Sequence, residues 1–500
     1  MVPTTIALAV MAECESQANQ VPGDSVIDSQ AQPSAKPSNP FRNILRLATG
    51  DLVAKATSFF AFVYLARILG VANFGVLEFA GSVLAYLLLI ADCGFEMWGT
   101  REAANSSDIP ALAARVLPIR LLLASISFVL LLVLLPLFPH YPSLRVVLVI
   151  YGLSVFAQAA SLKWVFLGQQ QMSGVARGLV IGQVVFAALV VGFVHNPIGL
   201  VWVPAFKLLG DLVTAAYFAR WFARSYGRFA LNMTLRGAKA MLKPAFTIGF
   251  SLAMGLLNYN FDAVLLGFLR GPTVVGWYNA AYKLLLVGLS AALAYFAGLF
   301  PALSRLYVED RREFGLLVQR TSELWLTFVV PLVVAGTFLA TPVIRLLYGA
   351  AYLNSVAPFR ILLWSAALVM LRWVYMDSLR ATGHQALDLR CAITSASLNV
   401  ALNVLLIPRY GMIGAASATV FADLVWFAMS CYYFRRARLS SDGFPPVWGP
   451  LLGGGAMCAV LWFTASLDWP WRLVLSLAVY LAVQVPFGSL QRATGFVRRG

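Results

Sequence analysis

The chain has 500 residues, of which 60% are hydrophobic and only 12% charged, where a soluble domain carries roughly a quarter charged residues. That composition excludes an ordinary soluble fold and places the protein in a membrane. The formal net charge of +16 does not make it a nucleic-acid binder, because no basic face with base-contacting or stacking elements accompanies it.

Residues 1–40 are polar, contain proline and are poor in aromatic residues, a composition that cannot bury a core; they are expected to form a disordered cytoplasmic tail. The apolar patch Thr4–Ala12 has no basic n-region and no clear cleavage site, so it does not read as a signal peptide. Apolar stretches of about twenty residues, the length that crosses the hydrocarbon core, follow at 44–68, 76–99, 116–138, 144–167, 174–195 and 198–222. After a basic connector the pattern resumes at 245–268, 276–301, 321–342, 357–380, 387–407 and 411–434, and two more spans occupy 446–466 and 470–490. The expected fold is therefore an all-α integral membrane protein of about 14 transmembrane helices. The domains read as a tail (1–40), a six-helix lobe (41–225), a basic cytoplasmic connector (226–244), a second six-helix lobe (245–436) and two extra helices with a short basic tail (437–500).

The two lobes are copies of one another. LARILGVANFGVLEFA at 65–80 recurs as LGFLRGPTVVGWYNAA at 266–281, with an apolar run ending at Gly70 or Gly271 and a second glycine five positions on, Gly75 or Gly276. FLGQQQMSGVARGLV from Phe166 likewise resembles LRATGHQALDLRCAI from Leu379, and each copy then reaches an acid within a span, Asp211 or Asp423. Six helices per copy leave both in the same orientation, so the repeats should be parallel, related by an axis along the membrane normal, as in many secondary transporters.

Cytoplasmic loops retain lysine and arginine. Of the 37 basic residues, with those near span ends counted to the adjoining loop, five are assigned to the spans themselves, six (Arg67, Arg145, Arg270, Arg345, Arg409, Arg472) to one side, and the other 26 to the side of the N-terminus. Both termini and the Arg220 to Lys243 connector are thus expected in the cytoplasm.

The five within spans are Lys55, Lys207, Lys283, Arg360 and Arg372. A charge at the bilayer centre costs about 2.5–3.5 kcal/mol on insertion scales and faces a bundle interior or an aqueous cavity. Arg360 is close enough to a span end to snorkel to the interface, and Lys207 has Asp211 one helical turn away as a local partner. Lys55, Lys283 and Arg372, with Lys207, are the candidate site for an anionic, phosphate-bearing cargo, since fixed cations replace solvent around the anion and arginine binds phosphate bidentately. Among the acids within spans, Asp262, Asp92, Asp211 and Asp423 are candidates for coupling to protons or sodium, or for neutralising a neighbouring cation.

Enzyme signatures are missing from the sequence. His140, His195 and His384 are too dispersed for a metal cluster, and five cysteines (Cys14, Cys93, Cys391, Cys431, Cys458) show neither zinc nor disulfide spacing. Neither a GxSxG elbow nor a GxxxxGK[ST] loop occurs. No metal and no cofactor are expected, and any driving force would come from an ion gradient.

One run is more specific. LGVANFGVLEFAGSVLAYLLLIADCGFEMWGTREAA, 69–104, resembles the first-loop and second-helix signature of polysaccharide flippases, an LGxxxFG loop followed by D-x-GF and TRE, with Gly70, Phe74, Gly75, Asp92, Gly94, Phe95, Thr100, Arg101 and Glu102 in those positions. NYNFDAVLLGFLRGPTVVGWYNAAYKL resembles the second-half signature, with Asp262, Gly276, Tyr278 and Lys283 in place. The resemblance is to the Wzx-type branch of the multidrug/oligosaccharidyl-lipid/polysaccharide exporter superfamily, with Val71 where a proline often stands. It implies translocation of an undecaprenyl-diphosphate-linked oligosaccharide across a bacterial inner membrane for cell-surface polysaccharide synthesis. Glycosyltransferase and polymerase partners come with it. The alternatives are a peptidoglycan-precursor flippase, a multidrug cation exporter of the same superfamily and a membrane polysaccharide polymerase.

Overall fold

A computed structural model describes residues 40–228, 235–439 and 447–487. The expected tail at 1–39, the stretch of connector around residue 232 and the basic C-terminal end lie outside the described residues. The described chain is helical with no strands, as a lipid solvent requires: a helix satisfies its own backbone polar groups where no water can.

Two long helical runs are each broken by a glycine. Pro40–Asp92 is interrupted at Gly70 (φ 73°, ψ 168°) and so comprises α1 (40–69) and α2 (71–92). Gln385–Arg436 is interrupted at Gly411 (φ 55°, ψ −132°) and comprises α13 (385–410) and α14 (412–436). Between them lie α3 (Phe95–Asn105), α4 (Ile109–Leu134), α5 (Leu144–Ala159), α6 (Lys163–Gly168), α7 (Met172–Phe193), α8 (Trp202–Tyr226), α9 (Leu235–Leu269), α10 (Pro272–Glu309), α11 (Arg311–Tyr348) and α12 (Val356–Ala381). α15 (Trp448–Phe463) and α16 (Trp469–Phe487) close the described chain. With α3 and α6 taken as short continuations of α2 and α5, the expected fourteen spans are present.

Several boundaries differ from the sequence reading. The span predicted at 76–99 breaks at Cys93 and Gly94, both with positive φ, and restarts as α3 beneath a cap from the Asp92 carboxylate, which accepts from the Glu96 N–H at 3.1 Å. The span predicted at 144–167 divides at Ala160 into α5 and α6. The connector expected at 226–244 is helix from Leu235 onward, so Lys239 and Lys243 are part of α9. Hydropathy marks apolar length and misses breaks of this kind, which the backbone makes within an apolar run.

The duplication is visible in the backbone. Gly271 (φ 89°, ψ 170°) repeats the conformation of Gly70, a region essentially restricted to glycine. In the second repeated loop the Gln171 N–H reaches back to the Phe166 carbonyl at 2.9 Å, and the His384 N–H to the Leu379 carbonyl at 2.8 Å. Gln170 (φ 55°) and Gly383 (φ 78°) occupy the same left-handed position in these two turns.

By compactness the chain forms two units, which do not follow the repeat boundaries. The first contains residues up to Leu69, Ala80–Leu256 and Leu293–Gly298. Its core gathers Phe95, Trp98, Trp164, Phe166, Phe218 and Phe222 with Ala245 of α9, and Phe166 stacks on Trp221 at 3.8 Å. Small residues let its helices approach closely: a Cβ on Gly94 would lie 2.3 Å from the Ala245 carbonyl oxygen, and one on Gly210 2.7 Å from that of Gly182. The second unit contains Gly70–Phe79, Leu257–Ala292 and Leu299 onward. There α15 and α16 dock on α11 through Met457, Leu461 and Tyr480, packed against Val330, Val334 and Phe338, and the Tyr480 hydroxyl donates to the Thr327 carbonyl at 2.8 Å. Phe60, Val133, Phe193, Phe246, Phe328, Trp364, Leu405, Trp462 and Phe463 stay exposed, the apolar outer faces expected of spanning helices.

Candidate functional site

The second unit brings several buried polar groups together with the meeting of the two repeated loops. The segment after Gly70 packs directly on the segment after Gly271, so that a Cβ on Gly75 would lie 1.7 Å from the Pro272 carbonyl oxygen, and one on Gly276 2.3 Å from that of Val71. Phe74 packs edge-on against Tyr352 at 6.1 Å, and the Trp277 indole donates to the Ala351 carbonyl at 2.9 Å. The glycines and the phenylalanine of the LGxxxFG run thus serve a backbone-to-backbone contact between the repeats.

Just beyond that contact, Glu78 of α2 meets Lys283 of α10, with Nζ to Oε1 at 3.1 Å and side chains 11% and 16% exposed. Glu78 lies inside the span predicted at 76–99, and that position was the signal for it; the sequence reading passed over it as part of the loop signature.

Arg372 of α12 is almost fully buried, at 1%. Its guanidinium lies over the Trp426 ring at 3.6 Å, donates to Asp423 at 3.2 Å and to the Tyr259 hydroxyl at 3.1 Å. Ser365 donates to the other oxygen of Asp423. Asp423 therefore acts as the counter-charge of Arg372, and an incoming anion would meet a guanidinium already neutralised. Trp426 and Tyr259 are neutral partners that charge-based reading could not single out.

Asp262 of α9 is 1% exposed and is held entirely by neutral donors: the Tyr278 hydroxyl, the Ala263 N–H at 2.8 Å and the Thr419 hydroxyl at 3.5 Å. Tyr278 stands at the signature position of α10 and Thr419 comes from α14. One turn earlier on α9, Asn258 accepts from Ser395 of α13 at 3.4 Å, and Asn399 and Asn403 on α13 are fully buried and hydrogen-bonded to each other at 2.8 Å. A buried carboxylate with hydroxyl and amide neighbours can take up a proton or hold a monovalent cation without a metal cluster. Among the described residues no group of three or more His, Cys, Asp or Glu side chains is placed to hold a metal ion.

The first unit holds the remaining candidates, each paired. Lys55 bonds Asp51 at 2.7 Å, and Lys207 pairs with Asp211 one turn away on α8. Asp92 receives Arg120 at 3.1 Å while also capping α3, and Glu96 receives Lys163 at 2.6 Å. Arg120 further donates to the Ser161 carbonyl at 3.0 Å and the Gln158 carbonyl at 3.3 Å. Near the end of the span predicted at 116–138 the sequence offers Arg120 as a residue of the cytoplasmic side, but at 4% exposure it is a buried cation tying α4 to the ends of α2 and α5. Arg360 keeps to the expected periphery, its guanidinium exposed and bonded to the Thr337 carbonyl at 2.9 Å.

The structure thus places Lys283, Arg372, Asp262 and Asp423 in the second unit, and Lys55, Lys207, Asp92 and Asp211 in the first. Each of the four candidate cations has a carboxylate within its own unit, as the cost of a lone charge in hydrocarbon demands.

Residues 41–307 match the family described as "Polysaccharide biosynthesis protein". An O-antigen transporter, so named, of Escherichia coli strain K12 is 21% identical over 409 residues, 80% of this chain and 97% of that protein. An uncharacterized membrane protein of Methanocaldococcus jannaschii is 24% identical over 218 residues, and the match spans only 43% of its length. Among solved structures, the lipid II flippase MurJ in an inward closed conformation superposes with a TM-score of 0.74 at 15% identity, covering 89% of this chain and 99% of that one.

Proposed function

From the premise that this chain belongs to the polysaccharide biosynthesis protein family, we propose that it is a flippase that moves a lipid-linked oligosaccharide, an undecaprenyl-diphosphate glycan, from the inner to the outer leaflet of a bacterial inner membrane for cell-surface polysaccharide synthesis. The observation that carries the cargo assignment is the set of fixed cations inside apolar helices: Lys55, Lys207, Lys283 and Arg372. A polyprenyl tail needs no polar site, because it can stay in the bilayer. The diphosphate does, and lysine and arginine are the side chains that replace its water.

Of the four, Lys283 is the strongest candidate for the phosphate contact, since it sits beside the meeting of the two repeated loops and its side chain is partly accessible, at 16%. Arg372 would contribute only if its bond to Asp423 opened. Transport by alternating access suits two repeats of this kind, and Asp262 is the candidate coupling group for protons or sodium. Both termini face the cytoplasm in this reading. A peptidoglycan precursor shares the diphosphate and the tail, but the Escherichia coli relative carries an O-antigen name, which favours a surface polysaccharide. A multidrug cation exporter calls for an acidic cavity, whereas the lysines and arginine within the spans, Lys55, Lys207, Lys283 and Arg372, favour an anion. Polymerase and glycosyltransferase partners belong to the same reading.

The test is inactivation of the gene in its host. Lipid-linked oligosaccharide should accumulate in the inner leaflet and surface polysaccharide should fall. The wild-type gene should restore export and Lys283→Ala, expressed to equal level, should not. Undiminished surface polysaccharide without the gene would refute the assignment.

A further inference from the structure

The ion pair at Lys283 is asymmetric between the repeats. With Gly75 matched to Gly276, Glu78 in the first repeat corresponds to Asn279 in the second, so an amide stands where its twin is a carboxylate. Asn279 is 7% exposed and its Nδ2 has no hydrogen-bond partner. It lies one helical turn before Lys283, on the same face of α10. The Tyr348 hydroxyl, in the electrostatic field of Glu78, is also buried and without a partner, while its ring packs on Tyr352 at 5.4 Å. Unmade bonds of this kind inside apolar surroundings are costly, about 1–3 kcal/mol each. One orphaned donor thus stands a helical turn from Lys283 and the other in the field of Glu78, and neither has an acceptor oxygen among the described residues.

We propose that Lys283, Asn279 and Tyr348 form a site for a diphosphate group, and that Glu78 is its built-in competitor, neutralising Lys283 until the cargo's anion displaces it. This rests on the lipid-linked diphosphate reading above. A diphosphate supplies enough oxygens to satisfy the Asn279 amide, the Tyr348 hydroxyl and the Lys283 ammonium at once, which a single carboxylate does not. It also carries more charge than the carboxylate it displaces; a monophosphate monoester, at about −1.5 to −2 near pH 7, exceeds the carboxylate by less and has fewer oxygens to share among the three donors. Glu78 thereby acts as a positioning and selectivity residue: it holds Lys283 in place when the site is empty and sets a threshold that favours two phosphates over one. The cost of displacing it is offset by the bonds that the two orphaned donors gain.

The experiment measures binding of farnesyl diphosphate and farnesyl monophosphate to the purified full-length protein in nanodiscs. Wild type should prefer the diphosphate. Glu78→Gln removes the competing charge and should bind both probes about tenfold more tightly, with the preference narrowed, on the scale of a charge pair at intermediate dielectric. Asn279→Leu should weaken diphosphate binding several-fold. Unchanged or weaker binding by Glu78→Gln overturns the proposal. Should that variant lose its monodisperse peak, Glu78→Asp, which withdraws the carboxylate by one methylene, carries the test: intermediate tightening supports the proposal and wild-type affinity overturns it. Inorganic pyrophosphate separates a lipid headgroup from a free anion, and equal binding of pyrophosphate and farnesyl diphosphate contradicts a headgroup site. Unchanged diphosphate binding by Lys283→Ala also overturns the site, whereas failure of the cargo reading is distinct: the wild-type protein itself would then bind neither farnesyl probe, whatever stands at residue 78.

Discussion

Gly75→Ala is the sharpest test of how the repeated loops meet. A methyl group at residue 75 would sit 1.7 Å from the Pro272 carbonyl oxygen and 2.5 Å from its carbon, and neither is the tip of a side chain that can swing away. Real Cβ contacts are essentially never below 3.0 Å, so the segments after Gly70 and Gly271 must move apart by more than an ångström. Overpacking of a close backbone contact costs about 1–3 kcal/mol, a factor of about 5 to 150 in the balance between intact and opened structure at roughly 1.4 kcal/mol per decade. The control is Gly81→Ala, three turns along the helical run that begins after Gly70. Apart from its own helical backbone, nothing lies within 4 Å of that Cβ, and alanine in a helix should gain up to about 1 kcal/mol over glycine. Thermal denaturation in detergent, followed by loss of the monodisperse peak, ranks the three proteins. The expected order is Gly81→Ala at or above wild type and Gly75→Ala clearly below it. Gly276→Ala should resemble Gly75→Ala, and combining the two should cost less than their sum, because both press on one contact. A Gly75→Ala protein as stable as wild type would refute the packing argument.

Three further outcomes are expected. Arg372→Ala should destabilise the protein by about 3–5 kcal/mol by stranding Asp423 in the interior, and Arg372→Met with Asp423→Leu should recover most of that loss; thermal denaturation of both variants decides it, and an Arg372→Ala protein of wild-type stability would show that the pair is dispensable. Asp262→Asn keeps the shape around Tyr278 and Thr419 while removing the titratable group, so it should fold normally yet lose the dependence of transport on an imposed proton or sodium gradient; an unchanged dependence would clear Asp262 of coupling. A single cysteine introduced at residue 232 should resist a membrane-impermeant thiol reagent in intact cells and react after permeabilisation, and labelling in intact cells would reverse the proposed orientation.

The spans, their number and the duplication were legible in the sequence because they rest on apolar length and on glycines that only special backbone geometry demands: Gly70 and Gly271 take the same conformation, as their matching positions implied. The breaks at Cys93 and Ala160 were not legible, since they arise within apolar runs from local capping and packing. Lys283 and Arg372 stood out as charges in hydrocarbon, but their roles depend on partners that sequence spacing hides. Glu78 and Lys283 are about two hundred residues apart, as are many contacts between repeats, and Trp426, Tyr259 and Asn279 carry no charge to draw attention. Lys207 with Asp211 was the exception, because a pair four residues apart on one helix is already a neighbour in the sequence.

The central claim is movement of a diphosphate-linked glycan lipid between leaflets, and reconstitution measures it most directly. The purified protein is placed in liposomes containing a short-chain polyprenyl-diphosphate oligosaccharide with a fluorescent sugar, and the fraction open to an impermeant quencher is followed over time. The account predicts that protein-containing vesicles equilibrate the lipid between leaflets while protein-free vesicles and vesicles with Lys283→Ala do not. Identical quenching in all three would contradict it.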